Sequence, residues 1–282
     1  MASGTICAPV KYLRRLPLYD HEKPFQYLIP IPPDSKDQRT TNVEFETREQ
    51  TFTDIRHRLG DFNLDRNGFE VISVPTSLRA VEATDQDVIK GRYLPEVEKI
   101  LRDNVAGGFD RVVFFDWRVR DAAVPEEATK MKMSDLSGWL RPVGHVHIDH
   151  APRAIVGRVQ SLHVAGDDSN FLLRGRVRVI NVWRPLDHPV EDFPLAFCDA
   201  STLAEQDIVE CDHVRRNYRG ATLYPYFDPG QKFYYVGGQT PDEVVLFKIF
   251  DSDPDVRAKS EMRALFLWSP FANANLEAAE EY

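Results

Sequence analysis

Hydrophobic and polar positions alternate along many short stretches of the chain, and turn residues separate these stretches. A period of two predicts β-strands, because successive side chains of a strand point to opposite faces of a sheet. The predicted strands cover residues 69–74, 177–183, 195–198, 221–227, 233–236, 244–250 and 262–268. The apolar run at 111–116 predicts one further, buried strand. Such spacing is typical of a jelly roll or another cupin-like double-sheet barrel, with a mouth wide enough for a small molecule.

Two stretches show the helical period instead. The first places four apolar side chains on one face and follows Thr84 and Asp87, which resemble a helix N-cap. The second begins at Pro152, a residue favoured in the first helical turn. The apolar positions are Tyr93, Val97, Ile100 and Leu101 in the first stretch, and Ile155, Val159 and Leu162 in the second. The fold class is therefore predicted to be mainly β with flanking helices.

The length of 282 residues suits a single domain, 1–282, built around one β-rich core. Residues 1–45 are rich in proline and predict an irregular arm that wraps the core. Residues 46–130 predict an α/β elaboration, and 131–270 predict the β-barrel. Residues 271–282 predict a flexible, acidic tail.

Composition and charge exclude several classes of protein. The apolar fraction of 43% allows a sizeable core, and the net charge of −9 argues against a general nucleic-acid binder. No run approaches the roughly 18 apolar residues that span a bilayer. Three widely spaced cysteines without a CxxC pair indicate a reducing, cytoplasmic environment rather than a disulfide framework.

The segment 144–150 holds three histidines and one aspartate, and it is the strongest candidate for chemistry. In a strand, His145, His147 and Asp149 share one face. His147 and Asp149 can then hold a single cation between them, as two thirds of the 2-His-1-carboxylate triad of non-heme iron oxygenases. The alternative is a hydrogen-bonded polar pair without a metal, and the motif alone does not decide between them.

Nearly the whole chain resembles a family of fungal hydroxylase/desaturase enzymes of secondary-metabolite clusters, related to the cephalosporin 7-alpha-methoxylase component. The resembling segments are 22–25, 62–69, 93–98, 146–149, 180–186, 194–199, 241–248, 251–252 and 261–265. The resemblance implies a double-stranded β-helix and Fe(II) chemistry, often with 2-oxoglutarate.

Two departures from the family pattern concern the metal site. Typical members follow the motif at Asp251-Ser252 with a loop of sequence Pro-His-Thr-(Ala/Ser)-Phe, whose histidine is the expected third iron ligand. That loop is missing here, and no histidine follows His213. The family's Phe-Asp-His-Thr stands here as Phe-Asp-Trp-Arg, with Trp117 in place of the histidine. The resemblance therefore implies a variant iron site.

Four residues are candidates for a replacement third ligand. Asp251 lies where the family's histidine loop would begin, and His145 shares the strand face but lies beyond His147 from Asp149. His213 lies in a charged turn, residues 211–216, which favours a solvated surface position. His188, between Asp187 and Pro189, favours a loop. Asp251 and His145 rank above the other two.

Three arginines are candidates for binding the carboxylates of a co-substrate. Arg184 follows an aromatic residue in a predicted barrel strand, which suits bidentate capture of a carboxylate. A structural ion pair of Arg184 with Glu191 or Asp192 is the alternative. Arg257 and Arg263 flank the position of the family's co-substrate arginine.

Three functional hypotheses follow. The first is a tailoring oxygenase of fungal natural-product biosynthesis that uses Fe(II) to hydroxylate, desaturate or oxidatively cyclise a small molecule, with 2-oxoglutarate as a possible co-substrate. The second is a metal-free cyclase or isomerase in the same pocket, with His147 or Asp149 as acid or base. The third is a non-catalytic partner of an active paralogue, and homo- or heterodimers fit this scheme. The expected partner is a small-molecule intermediate, neither nucleic acid nor membrane.

Overall fold

The computed structural model describes residues 4–124, 139–161, 169–215, 219–256, 258, 264–266 and 275–278. Their strands are β1 Thr5–Leu13, β2 Phe25–Tyr27, β3 Phe45–Asp54, β4 Phe69–Ser73, β5 Arg118–Arg120, β6 Trp139–Leu140, β7 Arg178–Pro185, β8 Leu195–Cys198, β9 Ile208–Val214, β10 Arg219–Pro225, β11 Phe233–Tyr235, β12 Glu243–Asp251, β13 Ala264–Phe266 and β14 Asn275–Ala278. Their α-helices are α1 Leu64–Asn67, α2 Gln86–Val88, α3 Leu94–Asn104, α4 Pro152–Ser161 and α5 Ser169–Leu172. A π-helical turn, Ile89–Tyr93, joins α2 to α3.

The strands form three sheets, which are mostly antiparallel. The first has the order β4-β12-β7-β14-β5-β6, the second β1-β3-β11-β8-β13 and the third β10-β9-β2. The segment 145–149 connects the second sheet to the third. Val146 N–H donates to the Lys11 carbonyl of β1 at 2.9 Å, and Ile148 exchanges two backbone hydrogen bonds with Leu223 of β10. Within the described ranges, no helix has the length and apolarity to cross a membrane.

The core lies between the first sheet and the strands facing it. Phe69, Trp183 and Phe247 of the first sheet pack against a layer that includes Phe197 and Ile148, all nearly free of solvent contact. On its other face the sheet is covered by α3, through Val97, Ile100 and Leu101. A side chain of this kind contributes about 1.5–3 kcal/mol when fully buried, so the burial of Ile148 in the first of these layers helps to fix the segment 145–149.

Most of the predicted elements are confirmed. Six of the predicted strands overlap β4, β7, β8, β10, β11 and β12, and the seventh overlaps β13, while its remaining residues lie outside the described ones. Both predicted helices are confirmed as α3 and α4, although Leu162 lies outside the described residues. The predicted N-cap is one residue early: Asp85, not Thr84, accepts hydrogen bonds from the backbone N–H groups of Asp87 and Val88.

Two sequence predictions are wrong. Residues 111–116 form no strand, and Val113 is 38% exposed, because this run borders a cavity rather than a neighbouring strand. The N-terminal arm is not irregular, since β1 pairs with β3 over nine residues despite Pro9. Within the predicted tail, residues 275–278 form β14, which pairs with β5 and β7.

Candidate active site

His147 and Asp149 lie together, as the alternation of the strand predicted. His147 Nε2 is 3.1 Å from Asp149 Oδ1, and the two side chains are 9% and 16% exposed. The hydrogen bonds of Val146 and Ile148 to the strands on either side hold this segment, so the pair is built on a fixed backbone. The sequence-predicted juxtaposition is therefore present in the folded chain.

The hydrogen bonds of His147 indicate what lies between the pair. His147 Nδ1 is 2.9 Å from the His145 carbonyl oxygen. A carbonyl only accepts, so Nδ1 carries a proton, and in a neutral imidazole Nε2 then holds a lone pair. That lone pair faces a carboxylate oxygen, and two acceptors at 3.1 Å repel each other unless a proton or a cation lies between them. The arrangement therefore suits a second proton on His147 or a bound metal ion.

Asp149 is held from two further sides. Asn181 Nδ2 on β7 donates to Asp149 Oδ2 at 2.8 Å, and Thr222 Oγ1 on β10 donates to the Asp149 backbone oxygen at 3.2 Å. Burial acts to raise the pKa of Asp149, but the hydrogen bond and charge of His147, with His150 and Asn181, hold it below its usual value. Asp149 is therefore an anion, oriented by residues from two neighbouring strands.

Three more histidines surround this pair. The His145 ring stacks on Phe45 with centroids 4.9 Å apart and lies 5.2 Å from the His147 ring. Burial is the main cause of the low pKa of these groups: it is well below the usual value for His145 and about 4 for both His150 and His213. These imidazoles are neutral at neutral pH, which is the form that binds metal ions.

His213 is not the solvated residue that the charged turn predicted. It lies on β9, its Nδ1 is 3.4 Å from Thr222 Oγ1, and its Nε2 is buried. His213 pairs with Gly220 across the β9–β10 ladder, and the small side chains of this strand let the imidazole lean toward Thr222. Helpful signals in the sequence were Cys211 and His213, two residues apart and therefore on one strand face. His188 lies in an exposed loop, as predicted.

The remaining candidates for a third ligand are not assembled around the pair. Asp251 instead accepts two hydrogen bonds from Arg176, at 2.9 and 2.7 Å, and one from Lys248 at 2.7 Å. In the part of the chain that the structure describes, no three His, Cys, Asp or Glu side chains are grouped to hold a metal ion. Imidazole and carboxylate are donor types that non-heme iron uses, and the hydrogen-bonded supports of His147 and Asp149 fit that use.

The predicted co-substrate residue Arg184 lies away from the pair. It is fully buried on the face of β7 that α3 covers, with Nη1 3.2 Å from Glu96 Oε1 and the guanidinium over the Tyr93 ring. Its ionic partner is Glu96 rather than the predicted Glu191 or Asp192. Arg257 and Arg263 lie outside the described residues.

A cavity of about 830 Å³ lies between α4, β7 and the segment 107–116; its lining includes Asn181 but neither His147 nor Asp149. Asn181 lines this cavity and also donates to Asp149, so this residue connects the carboxylate to the cavity wall. Ile155 and Phe115 belong to its apolar lining. Neither the cavity nor Asn181 was identified from the sequence, because Asn181 stands 32 positions from Asp149 in an ordinary strand pattern.

Comparison with known proteins gives one family match over most of the chain. The family model is described as an "Oxidoreductase/YMDC permease-like domain" and matches residues 10–271. The Fe(II)/2-oxoglutarate-dependent dioxygenase nvfI of Aspergillus novofumigatus is 30% identical over 77% of this chain and 74% of its own length. The alpha-ketoglutarate-dependent dioxygenase tstK of Talaromyces stipitatus is 29% identical over 85% and 88%, respectively. The hydroxylase/desaturase efuI of Hormonema carpetanum is 28% identical over 78% and 77%.

The fold is also similar to a solved structure. The iron and alpha-ketoglutarate-dependent endoperoxidase NvfI superimposes with a TM-score of 0.80, covering 97% of this chain and 96% of that one at 24% identity. This similarity confirms the predicted jelly-roll fold, the double-stranded β-helix.

Proposed function

We propose that this chain, which belongs to the oxidoreductase family of the fungal Fe(II)/2-oxoglutarate-dependent dioxygenases and hydroxylase/desaturases, is a tailoring enzyme of fungal natural-product biosynthesis. It oxidises a small molecule with non-heme iron, by hydroxylation, desaturation or oxidative ring formation. Fe(II) and 2-oxoglutarate are the cofactors that its relatives support. His147 and Asp149 are the residues to which we assign the iron.

The contact between His147 Nε2 and Asp149 Oδ1 carries this assignment. Imidazole and carboxylate are the donor types of non-heme Fe(II) sites. Ligands of such sites are oriented by outer hydrogen bonds, typically from a ligating histidine to a backbone carbonyl. His147 donates such a bond to His145 O, and Asp149 receives one from Asn181. When bound, Fe(II) and 2-oxoglutarate would activate O2, which is the oxidant, while 2-oxoglutarate is converted to succinate and CO2.

The protein side chains have separate tasks in this scheme. His147 and Asp149 hold the metal, and Asn181 fixes the plane of the carboxylate and forms part of the cavity wall. Ile148 of the same segment and Leu223 of β10 are buried in the apolar core and anchor the pair there. The described residues provide two protein ligands for the iron. We therefore infer that iron binding depends strongly on 2-oxoglutarate, and that Fe(II) and 2-oxoglutarate each raise the affinity for the other by the same factor.

The experiment is anaerobic loading of the purified protein with Fe(II), with and without 2-oxoglutarate, followed by exposure to air. We expect bound iron to increase when 2-oxoglutarate is present, and succinate to form after air is admitted. Succinate formation should stop with a chelator. The metal-free cyclase or isomerase would instead be supported if iron stays unbound under all conditions and conversion of the small-molecule substrate continues in the presence of the chelator.

Asn181→Ala should lower the affinity for Fe(II) by about 10- to 100-fold, the usual effect of losing an outer hydrogen bond to a ligand. The change removes the donor to Asp149 Oδ2 and leaves both proposed ligands in place. Anaerobic titration with a competing metal indicator measures it. Asn104→Ala is the matched control, since Asn104 donates to the Ile100 carbonyl on α3. Equal affinities of the two variants would show that Asn181 does not position the carboxylate.

A further inference from the structure

Strand β1 forms one edge of the second sheet, and only half of its backbone hydrogen-bonding groups face its neighbour β3. Asp54 N–H donates to the Gly4 carbonyl, and Arg14 N–H donates to the Glu44 carbonyl, each at 2.8 Å. Both pairs follow the register of β1 on β3, so the even-numbered residues of β1 are the ones that bond to β3. Such residues alternate with residues whose N–H and C=O groups point the other way. The odd-numbered residues of β1 therefore direct their backbone groups away from the sheet.

These outward groups are unpaired along the first half of the strand. The Lys11 carbonyl accepts from Val146, so the segment 145–149 covers the far end of this edge. From Thr5 to Pro9, no strand or bridge of the described ranges pairs with it. Its outward groups there are the N–H and C=O of Thr5 and Cys7, and the C=O of Pro9. Proline fits in the middle of β1 because position 9 owes no N–H to β3.

The unpaired part of this edge is uncharged and partly apolar. A charged side chain is one of the devices that keep an exposed edge strand from pairing with another chain. Residues 5–10 carry none, although the whole chain has a net charge of −9. Ile6 is 41% exposed, on the strand face where Val10 and Tyr12 are buried in the core. Two copies can therefore approach along this edge without repulsion between the segments 5–10, and the approach would cover Ile6.

We propose that two copies of this chain form a two-fold symmetric dimer in which their β1 strands pair antiparallel, edge to edge, centred on Cys7. The two Cys7 residues then exchange two backbone hydrogen bonds, and each Thr5 N–H donates to the Pro9 carbonyl of the other copy. Every outward N–H between residues 5 and 9 finds an acceptor in this register, because position 9 has no N–H to satisfy. Ile6 lies directly opposite Ala8 of the other copy, which removes exposed apolar surface from water. The second sheet becomes continuous across the dimer.

Sedimentation velocity over a range of protein concentrations measures this association, and we expect a reversible equilibrium of monomer and dimer. Cys7→Pro should weaken the dimer about tenfold or more, since it removes the two central N–H donors. The substitution leaves the hydrogen bonds between β1 and β3 in place, because the N–H of residue 7 faces away from β3. Cys7→Ser is the matched control, since it keeps the N–H and should keep the dimer.

Oxidation provides a second measurement, which reports the register. Facing residues of a hydrogen-bonded antiparallel pair have Cα atoms about 5.5 Å apart, a distance that a disulfide can span. Cys198 and Cys211 are buried, so Cys7 is the cysteine available for a bridge between copies. With diamide, which takes up the two hydrogen atoms of the thiols, we expect a covalent dimer of the wild type. Cys7→Ser should give none.

A monomer at every concentration would overturn the proposal. A dimer that Cys7→Pro and Cys7→Ser form equally well, or one that diamide does not cross-link, would also overturn it, because the interface would then lie elsewhere. If Cys7→Pro does not fold, as judged by circular dichroism, Ile6→Lys gives the same test by placing a charge on the edge. All measurements use metal-free protein, so a failure of the proposed iron chemistry would leave them unaffected.

Discussion

His147→Ala is expected to lower the affinity for Fe(II) by more than about 100-fold, beyond the effect of losing an outer hydrogen bond. The reason is that His147 supplies one of the two assembled donors, and Asp149 alone offers a single carboxylate. Without the imidazole, the Asp149 carboxylate also loses the neighbouring group that would share the metal ion with it. Succinate formation should fall in parallel with bound iron.

Anaerobic titration with Co(II) provides a readout that does not depend on turnover, because its absorption reports the ligands directly. His188→Ala is the control, since His188 lies in an exposed loop. Wild-type affinity in His147→Ala would remove the iron assignment and leave the pair as a hydrogen-bonded acid–base group. A loss seen equally in His188→Ala would indicate non-specific metal binding by surface imidazoles.

The sequence predicted the parts of this site that depend on local periodicity. Alternation in a predicted strand placed His147 and Asp149 on one face. The structure keeps the two side chains together, although this segment forms only isolated bridges, at His145 and Ile148. The apolar periods of α3 and β12 likewise placed the two core layers. What could not be predicted was which strands become neighbours. Asn181 contacts Asp149 because β7 of the first sheet faces the segment 145–149, which connects the other two sheets.

The sequence predictions for Arg184 and Asp251 failed because both residues are buried charges with structural partners. A sequence shows that Arg184 and Asp251 stand in or beside apolar strands, which suggests inward-facing functional groups. It does not show the compensating partners, which are Glu96 on α3 for Arg184, and Arg176 and Lys248 for Asp251. A buried charge needs a partner whatever its role, so burial alone does not distinguish a ligand from a structural ion pair.

Asp251→Asn is expected to destabilise the fold by about 3–5 kcal/mol, the usual effect of removing one member of a buried ion pair. Asp251 and Lys248 are each 1% exposed, and Lys248 Nζ lies 2.7 Å from Asp251 Oδ2. After the substitution, Asp65 is the remaining carboxylate partner of the Lys248 ammonium among the described residues, at 2.8 Å. Arg176 loses its bidentate partner at the same time.

Urea denaturation at neutral pH measures this change, with Asp61→Asn as the control. Asp61 pairs with Arg58 at the surface, where both side chains are more than half exposed, and its loss should matter by at most about 1 kcal/mol. Iron affinity should be unaltered in Asp251→Asn. A large fall in iron affinity with little change in stability would instead support the prediction that Asp251 is a third ligand.

The pH dependence of stability tests independently whether the Asp251 carboxylate stabilises the fold. Burial acts to raise the pKa of Asp251, but hydrogen bonds from Arg176 and Lys248 outweigh it and hold the pKa below its usual value. The folded state therefore binds this proton less readily than the unfolded chain, in which the pKa of the Asp carboxyl is about 3.9. The stabilisation is complete above that pH and is lost as the pH falls through the folded pKa. The stability difference between wild type and Asp251→Asn should accordingly shrink on acidification; a constant difference would mean that the carboxylate charge is not what stabilises this region.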